Sequence, residues 1–156
     1  MWLPDQVFKT VIQSTPLISI DLVVRNEKNE VLLGKRLNAP AKDYWFVPGG
    51  RIQKDESLDD AFKRLINEEL GLDLNIKRHE TNFLGVYEHF YDDNVFDDLS
   101  STHYIVITYE IEISNMSLSE LPLLQHAEYK WFSIENLLES QIVNKFSKYY
   151  FDKVKV

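Results

Sequence analysis

One stretch, residues 49–72, GGRIQKDESLDDAFKRLINEELGL, constrains this chain more than any other. It follows the apolar run Trp45-Phe46-Val47 through Pro48-Gly49-Gly50, which predicts a strand leaving into a tight turn. A helix is expected next. Ser57 and Asp60 have the spacing of a capping pair, Asp55, Glu56 and Asp59 put negative charge at the positive end of the helix dipole, and Gly71 suits a closing cap. On a wheel of about 100° per residue with Leu58 at zero, Ala61, Phe62 and Leu65 fall within about 60° and form an apolar stripe. Glu69 falls inside that stripe, at about 20°. A carboxylate there is costly unless a cation or donor satisfies it. Glu68 lies at the edge, one turn from Arg64, where an i,i+4 pair is available. Glu69 is therefore the acid that needs an explanation, unless the stripe ends before it and the helix is simply acidic and solvated.

Spacing favours the functional reading. Gly50, five residues, Glu56, seven residues, then Arg64, Ile66, Glu68, Glu69, Gly71 and Leu72 resembles the box of the Nudix hydrolases, GX5EX7REUXEEXGU with U aliphatic. One fixed position departs. The family has Glu directly after the Arg, and this chain has Leu65.

A chain of 156 residues is long enough for one domain that buries about two thirds of its unfolded surface, so residues 1–156 are expected to form a single domain. With 44% hydrophobic and 27% charged residues it falls in the globular class. The absence of Cys removes disulfides, thiolate metal sites and cysteine nucleophiles, and fits a reducing compartment. The opening MWLPDQVFKT lacks the basic and apolar regions of a signal peptide, and no run is long enough to span a bilayer. A cytoplasmic protein with no membrane partner is the expectation. A net charge of -8 argues against sequence-independent nucleic-acid binding, so an anionic ligand would need locally placed Arg, Lys or a metal.

Along the chain, residues 4–13 read as a short helix, with Pro4 in the first turn and Leu3, Val7 and Val11 with Phe8 and Ile12 at helical spacing. Residues 17–24 and 31–35 read as strands around a polar turn at 26–30, and residues 39–43 as a loop before the Trp45 strand. Residues 83–91 and 103–113 read as two longer strands, separated by an acidic loop over 92–102. Residues 114–126 read as connection, followed by a strand over 129–132, a helix capped by Ser133 and running to Glu139, and a last helix over 144–153. This order predicts an α+β domain with a mixed β-sheet between helices. The resemblance implies the Nudix fold, an α/β/α sandwich.

Three clusters could carry chemistry. Arg36, in Gly34-Lys35-Arg36, and Arg51 beyond the glycine pair could grip phosphate oxygens through charge-assisted bonds, or could be ordinary surface cations. Gln125-His126 precedes a Trp-bearing strand, where a His is commonly a surface residue or a hydrogen-bonded one. Asp21, in a strand with Ile20, Leu22 and Val24, points to the opposite sheet face from those three; it is either a site residue with His89 and Tyr104 or simply solvent-facing.

Outside the box, the stretches STPLISIDLVV, LLGKR, YWFVPGGRIQKDE, EHFYDDN, THYIV and QHAEYKW are similar to those of the GDP-mannose mannosyl hydrolases, a Nudix subfamily that also has Leu where the general box has Glu after Arg. Glu68 is a departure in the other direction, since the subfamily often lacks that acid. The resemblance implies one Mg²⁺, or Mn²⁺, held by the Gly49 carbonyl, Glu69 and Gln125. It implies His126 as general base, Arg36 and Arg51 on the departing diphosphate with Tyr104 assisting, Asp21 and His89 near the sugar or its attacking water, and Trp2, Leu3 and Phe8 near the guanine. It also implies a homodimer, to which exposed aromatics such as Trp2 and Tyr149 could contribute.

The chemistry expected on this basis is carbon-centred. Leu65 removes an acid close to phosphorus, so water activation has to come from elsewhere, and a His titrating near neutral pH is a competent acceptor. GDP is a good leaving group, so a base and an electrophilic clamp suffice for hydrolysis of GDP-mannose, and of GDP-glucose as a second substrate, to GDP and the inverted hexose. Attack on phosphorus, as in most Nudix enzymes, is the alternative reading, and a non-catalytic nucleotide-sugar binding module is a third.

Overall fold

The computed structural model describes residues 2–71, 75–123 and 126–152. Leu72 of the box, the expected ligand Gln125 and the end of the last helix at Lys153 lie outside the described residues.

The chain starts with helix α1 (Asp5–Ser14) and enters β1 (Leu17–Arg25), whose Ile20, Leu22, Val23 and Val24 are fully buried. β1 is central because each of its edges is used. One pairs in parallel with β6 (Thr102–Glu112) in continuous register from Leu17↔Tyr104 to Arg25↔Glu112. The other splays: its end meets β2 (Val31–Arg36) at Arg25↔Val31, and its first half meets β4 (Gly49–Arg51) through Ser19↔Arg51, Ile20↔Gly50 and Asp21↔Gly49. β5 (Asn82–Tyr91) adds antiparallel to β6, while β2 carries β3 (Trp45–Phe46) on one edge and β7 (His126–Phe132) on the other. The result is a mixed seven-stranded sheet.

The box helix, α2 (Leu58–Leu70), lies on one face. Ser57 Oγ accepts from Asp60 N at 3.1 Å, and Gly71 closes the helix at φ 64°, the left-handed conformation that favours glycine. Ala61, Phe62, Leu65, Ile66 and Leu70 are buried against Ile20, Leu22, Val24, Tyr109 and Ile111. Leu58, taken from the sequence as the centre of the stripe, is 37% exposed, so the buried face is rotated toward Ile66 and Leu70, with Glu69 near its middle. Burying Phe62, Leu65, Ile66 and Leu70 stabilises the packing by roughly 6–12 kcal/mol, enough to offset a several-kcal/mol desolvation cost for one carboxylate. On the other face, Val23, Val31, Leu33 and Val47 pack against Leu137 of α3 (Ile134–Glu139), Val143, Tyr150 and Phe151. This is the α/β/α sandwich expected. Among the described residues no helix is long and apolar enough to cross a membrane.

Three local expectations are corrected. Gly49 and Gly50 form strand β4, not a turn: neither has a left-handed φ, and their lack of Cβ serves close approach, because a Cβ on Gly50 would lie 2.5 Å from Leu65 Cδ2. β7 starts at His126 instead of Tyr129, since the backbone of Arg36 offers it a partner that no periodicity announces. The last helix, α4, covers only Lys145–Lys148 before the chain turns, with Asn144 Oδ1 accepting from Phe146 N at 2.9 Å. A 3-10 turn at Arg78–Glu80, absent from the sequence reading, joins α2 to β5.

Candidate active site

The splay of β1 away from β2 opens the sheet at one end, and a cleft of about 340 Å³ forms there. Asp21 of β1, Arg36 at the end of β2, Gly49 and Arg51 of β4, and Glu69 of α2 line it. So do His89 of β5, Tyr104 of β6, His126 of β7, and Trp2 and Phe8 at the start of the chain. Leu3 does not line the cleft. The fold therefore gathers every other described residue expected in the catalytic, metal and substrate set.

Glu69 is 3% exposed, although a solvated acidic helix was the alternative. Arg64 explains why it differs from its neighbours. That guanidinium holds Glu56 through Nε at 2.6 Å and Nη2 at 2.9 Å, holds Glu68 through Nη1 at 2.9 Å, and donates to the Arg51 carbonyl at 2.9 Å. The bidentate bond keeps the Glu56 carboxyl below its usual range. Two of the three box acids are thus already neutralised, and Glu69 has no share in that cation.

Glu69 instead meets His126. Its Oε2 lies 3.4 Å from His126 Nε2, and both side chains are buried. Among the described residues, neither Glu69 Oε2 nor His126 Nδ1, both buried, has a hydrogen-bond partner. A carboxylate oxygen and an imidazole nitrogen enclosed at this distance call for a proton or a cation beside them. The donor chemistry fits a hard divalent cation: one buried carboxylate at the mouth of a cleft that has room for phosphate oxygens. Among the described residues no three His, Cys, Asp or Glu side chains converge on one point, so a full coordination shell would draw on backbone, amide or ligand oxygens.

His126 owes its position to Gly34 of β2. A Cβ at Gly34 would fall 2.5 Å from His126 Cγ and Nδ1, so the glycine leaves the space that the ring occupies. Tyr129, whose ring centroid is 5.3 Å from the imidazole, donates to the Pro122 carbonyl at 2.6 Å and closes another side.

The cationic wall is built by aromatics. Arg36 sits over the Phe46 ring at 5.3 Å, and Arg51 over Phe8 at 4.4 Å and Trp2 at 5.9 Å. Phe8 is held by an edge contact to Phe96 at 5.9 Å. The acidic loop over 92–102 is tied to α1 by Lys9 Nζ to Asp97 Oδ2 at 2.6 Å and Gln13 Nε2 to Ser100 Oγ at 3.1 Å. The lysine holds the Asp97 carboxyl down at about 2. Burial pushes the Tyr104 phenol up, and Arg36 and Arg51 act against that shift.

Asp21 is half-buried and lines the cleft instead of lying on an open sheet face. The C-terminal segment covers its side of the sheet, and Tyr150 Oη donates to Asp21 Oδ2 at 2.5 Å. Burial pushes the carboxyl up to about 7, opposed by the Tyr150 hydrogen bond and the Arg36 charge and reinforced by Glu69. Burial alone pushes the 4%-exposed His89 imidazole down to about 3, so the ring is neutral at physiological pH. It stacks on Phe146 at 4.5 Å and 15°. Sequence reasoning missed the role of Gly34 beside His126, and missed Phe146 and Tyr150. A glycine within strand β2 was the one available signal, whereas KFSKYY offers none.

Comparison with known proteins agrees with this architecture. The NUDIX domain family matches residues 15–153. The chain is 41% identical over 130 residues, 83% of its length and 79% of the relative's, to the low-salt glycan biosynthesis protein Agl8 of Haloferax volcanii. Among solved structures it resembles a MutT protein from Methanosarcina mazei (TM-score 0.65, 25% identity, 88% of this chain and 92% of that one). It also shares the fold of a MutT NUDIX hydrolase from Burkholderia pseudomallei (TM-score 0.69, 23% identity, 90% and 99%). Enzymes of this family hydrolyse nucleoside diphosphate derivatives and generally use divalent metals. Taken with the box helix, its buried Glu69 and the cleft it borders, these matches make the chain a member of the Nudix hydrolase family.

Proposed function

We propose that this enzyme hydrolyses GDP-mannose, and GDP-glucose as a second substrate, to GDP and the free hexose by attack of water at the anomeric carbon. The observation that carries the reading is Leu65. Its side chain is 1% exposed and packed against Gly50, so apolar bulk stands where the general box supplies a carboxylate. Of the groups left on the cleft, His126 is the nitrogen base beside Glu69. The homology to a protein named for glycan biosynthesis supports a nucleotide-sugar substrate.

Glu69, the Gly49 carbonyl and Gln125 would hold Mg²⁺, or Mn²⁺, together with diphosphate oxygens. A divalent cation there supplies charge neutralisation for the leaving GDP. Arg36 and Arg51 add charge-assisted bonds to the same oxygens, with Tyr104, which feels both charges, assisting. Trp2 and Phe8, already apposed to Arg51, offer a stacking surface for the guanine. Water attacks the anomeric carbon from the face opposite the diphosphate and yields its proton to the His126 imidazole. The carbon–oxygen bond to phosphate breaks with its electron pair leaving on GDP, and the sugar inverts. Asp21 and His89 border the sugar side. A single domain, a homodimer and a cytoplasmic location complete the reading.

Turnover of GDP-mannose with Mg²⁺ in ¹⁸O-water tests it: label should enter the hexose. Label in phosphate, with GMP and a sugar phosphate as products, would favour phosphorus attack; binding without product would favour a non-catalytic module. His126→Gln should lower kcat about 10²- to 10⁴-fold, the usual contribution of a general base.

A further inference from the structure

We propose that Tyr150 is a positioning residue of this site: its hydroxyl joins His89 to Asp21 in one fixed hydrogen-bond direction, so that the C-terminal segment orients the sugar side of the cleft. The inference deepens the function proposed above and rests on its placing Asp21 and His89 at the sugar.

Donor accounting gives the direction. A phenol has one hydrogen. Tyr150 Oη gives it to Asp21 Oδ2 at 2.5 Å, and the same oxygen lies 3.2 Å from His89 Nε2. While Asp21 is ionised, it takes the only proton of Tyr150, so Tyr150 accepts from His89, which then carries its proton on Nε2. A neutral ring has one N–H, which leaves His89 Nδ1 bare as an acceptor. The chain of bonds runs from His89 Nε2–H through Tyr150 O–H to the Asp21 carboxylate.

Packing fixes each member. Tyr150 meets Tyr87 edge-on at 4.8 Å, and Phe146, one turn earlier, stacks on His89. Phe146 also meets Tyr91 edge-on at 5.0 Å. Ser147 Oγ accepts from Val47 N at 3.1 Å, and Val143 bridges to Trp45, so the segment is pinned to the strand that leads into the glycine pair. A tyrosine kept only for its ring would need none of this polar geometry, and the hydroxyl separates the two roles.

Tyr150→Phe keeps the ring and deletes the hydroxyl. Loss of an orienting partner of this kind commonly costs 10- to 100-fold. A fall in kcat of about tenfold, with KM for GDP-mannose nearly unchanged, is expected. In an Asp21→Asn background the same substitution should add nothing, because the group it orients has already been changed. Losses that multiply would overturn the proposal, since packing acts regardless of Asp21. Nitrogen-15 NMR of the substrate-free enzyme, at a pH above that at which Asp21 ionises, gives a readout independent of turnover: His89 should be a single neutral tautomer protonated on Nε2, and Tyr150→Phe should release that preference. A proton on Nδ1 in the wild type would overturn the proposal. Wild-type turnover in Asp21→Asn would also overturn it, by removing Asp21 from the reaction. Label entering phosphate in the ¹⁸O assay would refute the GDP-mannose reading alone, because the Tyr150–Asp21 coupling can be scored on whichever product forms.

Discussion

The space beside Gly34 offers a direct test of whether the position of His126 matters. Gly34 has no left-handed φ, so Gly34→Ala brings no backbone strain, only a methyl group 2.5 Å from the imidazole Cγ and Nδ1. Ordinary carbon contacts begin near 3.5 Å, so ring or strand must yield by about 1 Å. The ring has little room, with Glu69 Oε2 3.4 Å from Nε2 and Tyr129 on another flank. Overpacking of this kind costs about 1–3 kcal/mol, and for a chain of this length each kcal/mol lowers Tm by about 2–4 °C. A misplacement of about 1 Å in a catalytic group can cost about 10²-fold in rate. Gly34→Ala should therefore melt about 2–12 °C lower by circular dichroism, yet remain folded at 25 °C with kcat down roughly 10²-fold in a GDP-mannose assay. A variant with the lowered Tm but a kcat within about twofold of wild type would refute the assignment of His126 as the base, because the general-base factor depends on geometry.

Other outcomes follow from the charge arrangement. Glu69→Gln should abolish the response of turnover to added Mg²⁺, with a loss of roughly 10²-fold or more, while Glu68→Gln, whose partner Arg64 also serves Glu56, should lose less than about tenfold. Equal losses would show that the buried and exposed acids share one role. Arg64→Met should remove about 1–3 kcal/mol at neutral pH by stranding Glu56. Because the folded pKa of Glu56 is depressed, its contribution is present above the unfolded carboxylate pKa and is lost as pH falls through the folded value. The acid-unfolding midpoint of Arg64→Met, followed by circular dichroism, should therefore lie at higher pH than that of the wild type, and an unchanged midpoint would reject the linkage.

The box helix was readable because its signals are local. The Ser57 cap, the Gly71 terminus and the position of Glu69 on the wheel depend on spacings of a few residues, and the structure agrees with each. What escaped depends on contacts distant in sequence. Gly49 and Gly50 look like a turn until β1 is set beside them, and His126 looks like a loop residue until Arg36 offers its backbone. Asp21 shows the same limit: alternation gave the sheet face correctly, but no periodicity says that Tyr150, 129 residues later, covers that face. The site is legible as a set of residue types through resemblance, whereas the side chains that hold them in place are chosen by packing.

The parallel pairing of β1 with β6 also bears on how the molecule reaches its working form. Every register pair in it joins residues 87 apart, as Leu17↔Tyr104 illustrates, and bringing such distant partners together is slow compared with forming a helix or hairpin. Asp21 then awaits Tyr150, which lies 129 residues further along the chain. A nascent polypeptide halted before Tyr150 holds the box helix in full and lacks the hydroxyl that Asp21 binds, so this cleft matures only after its box helix has been made.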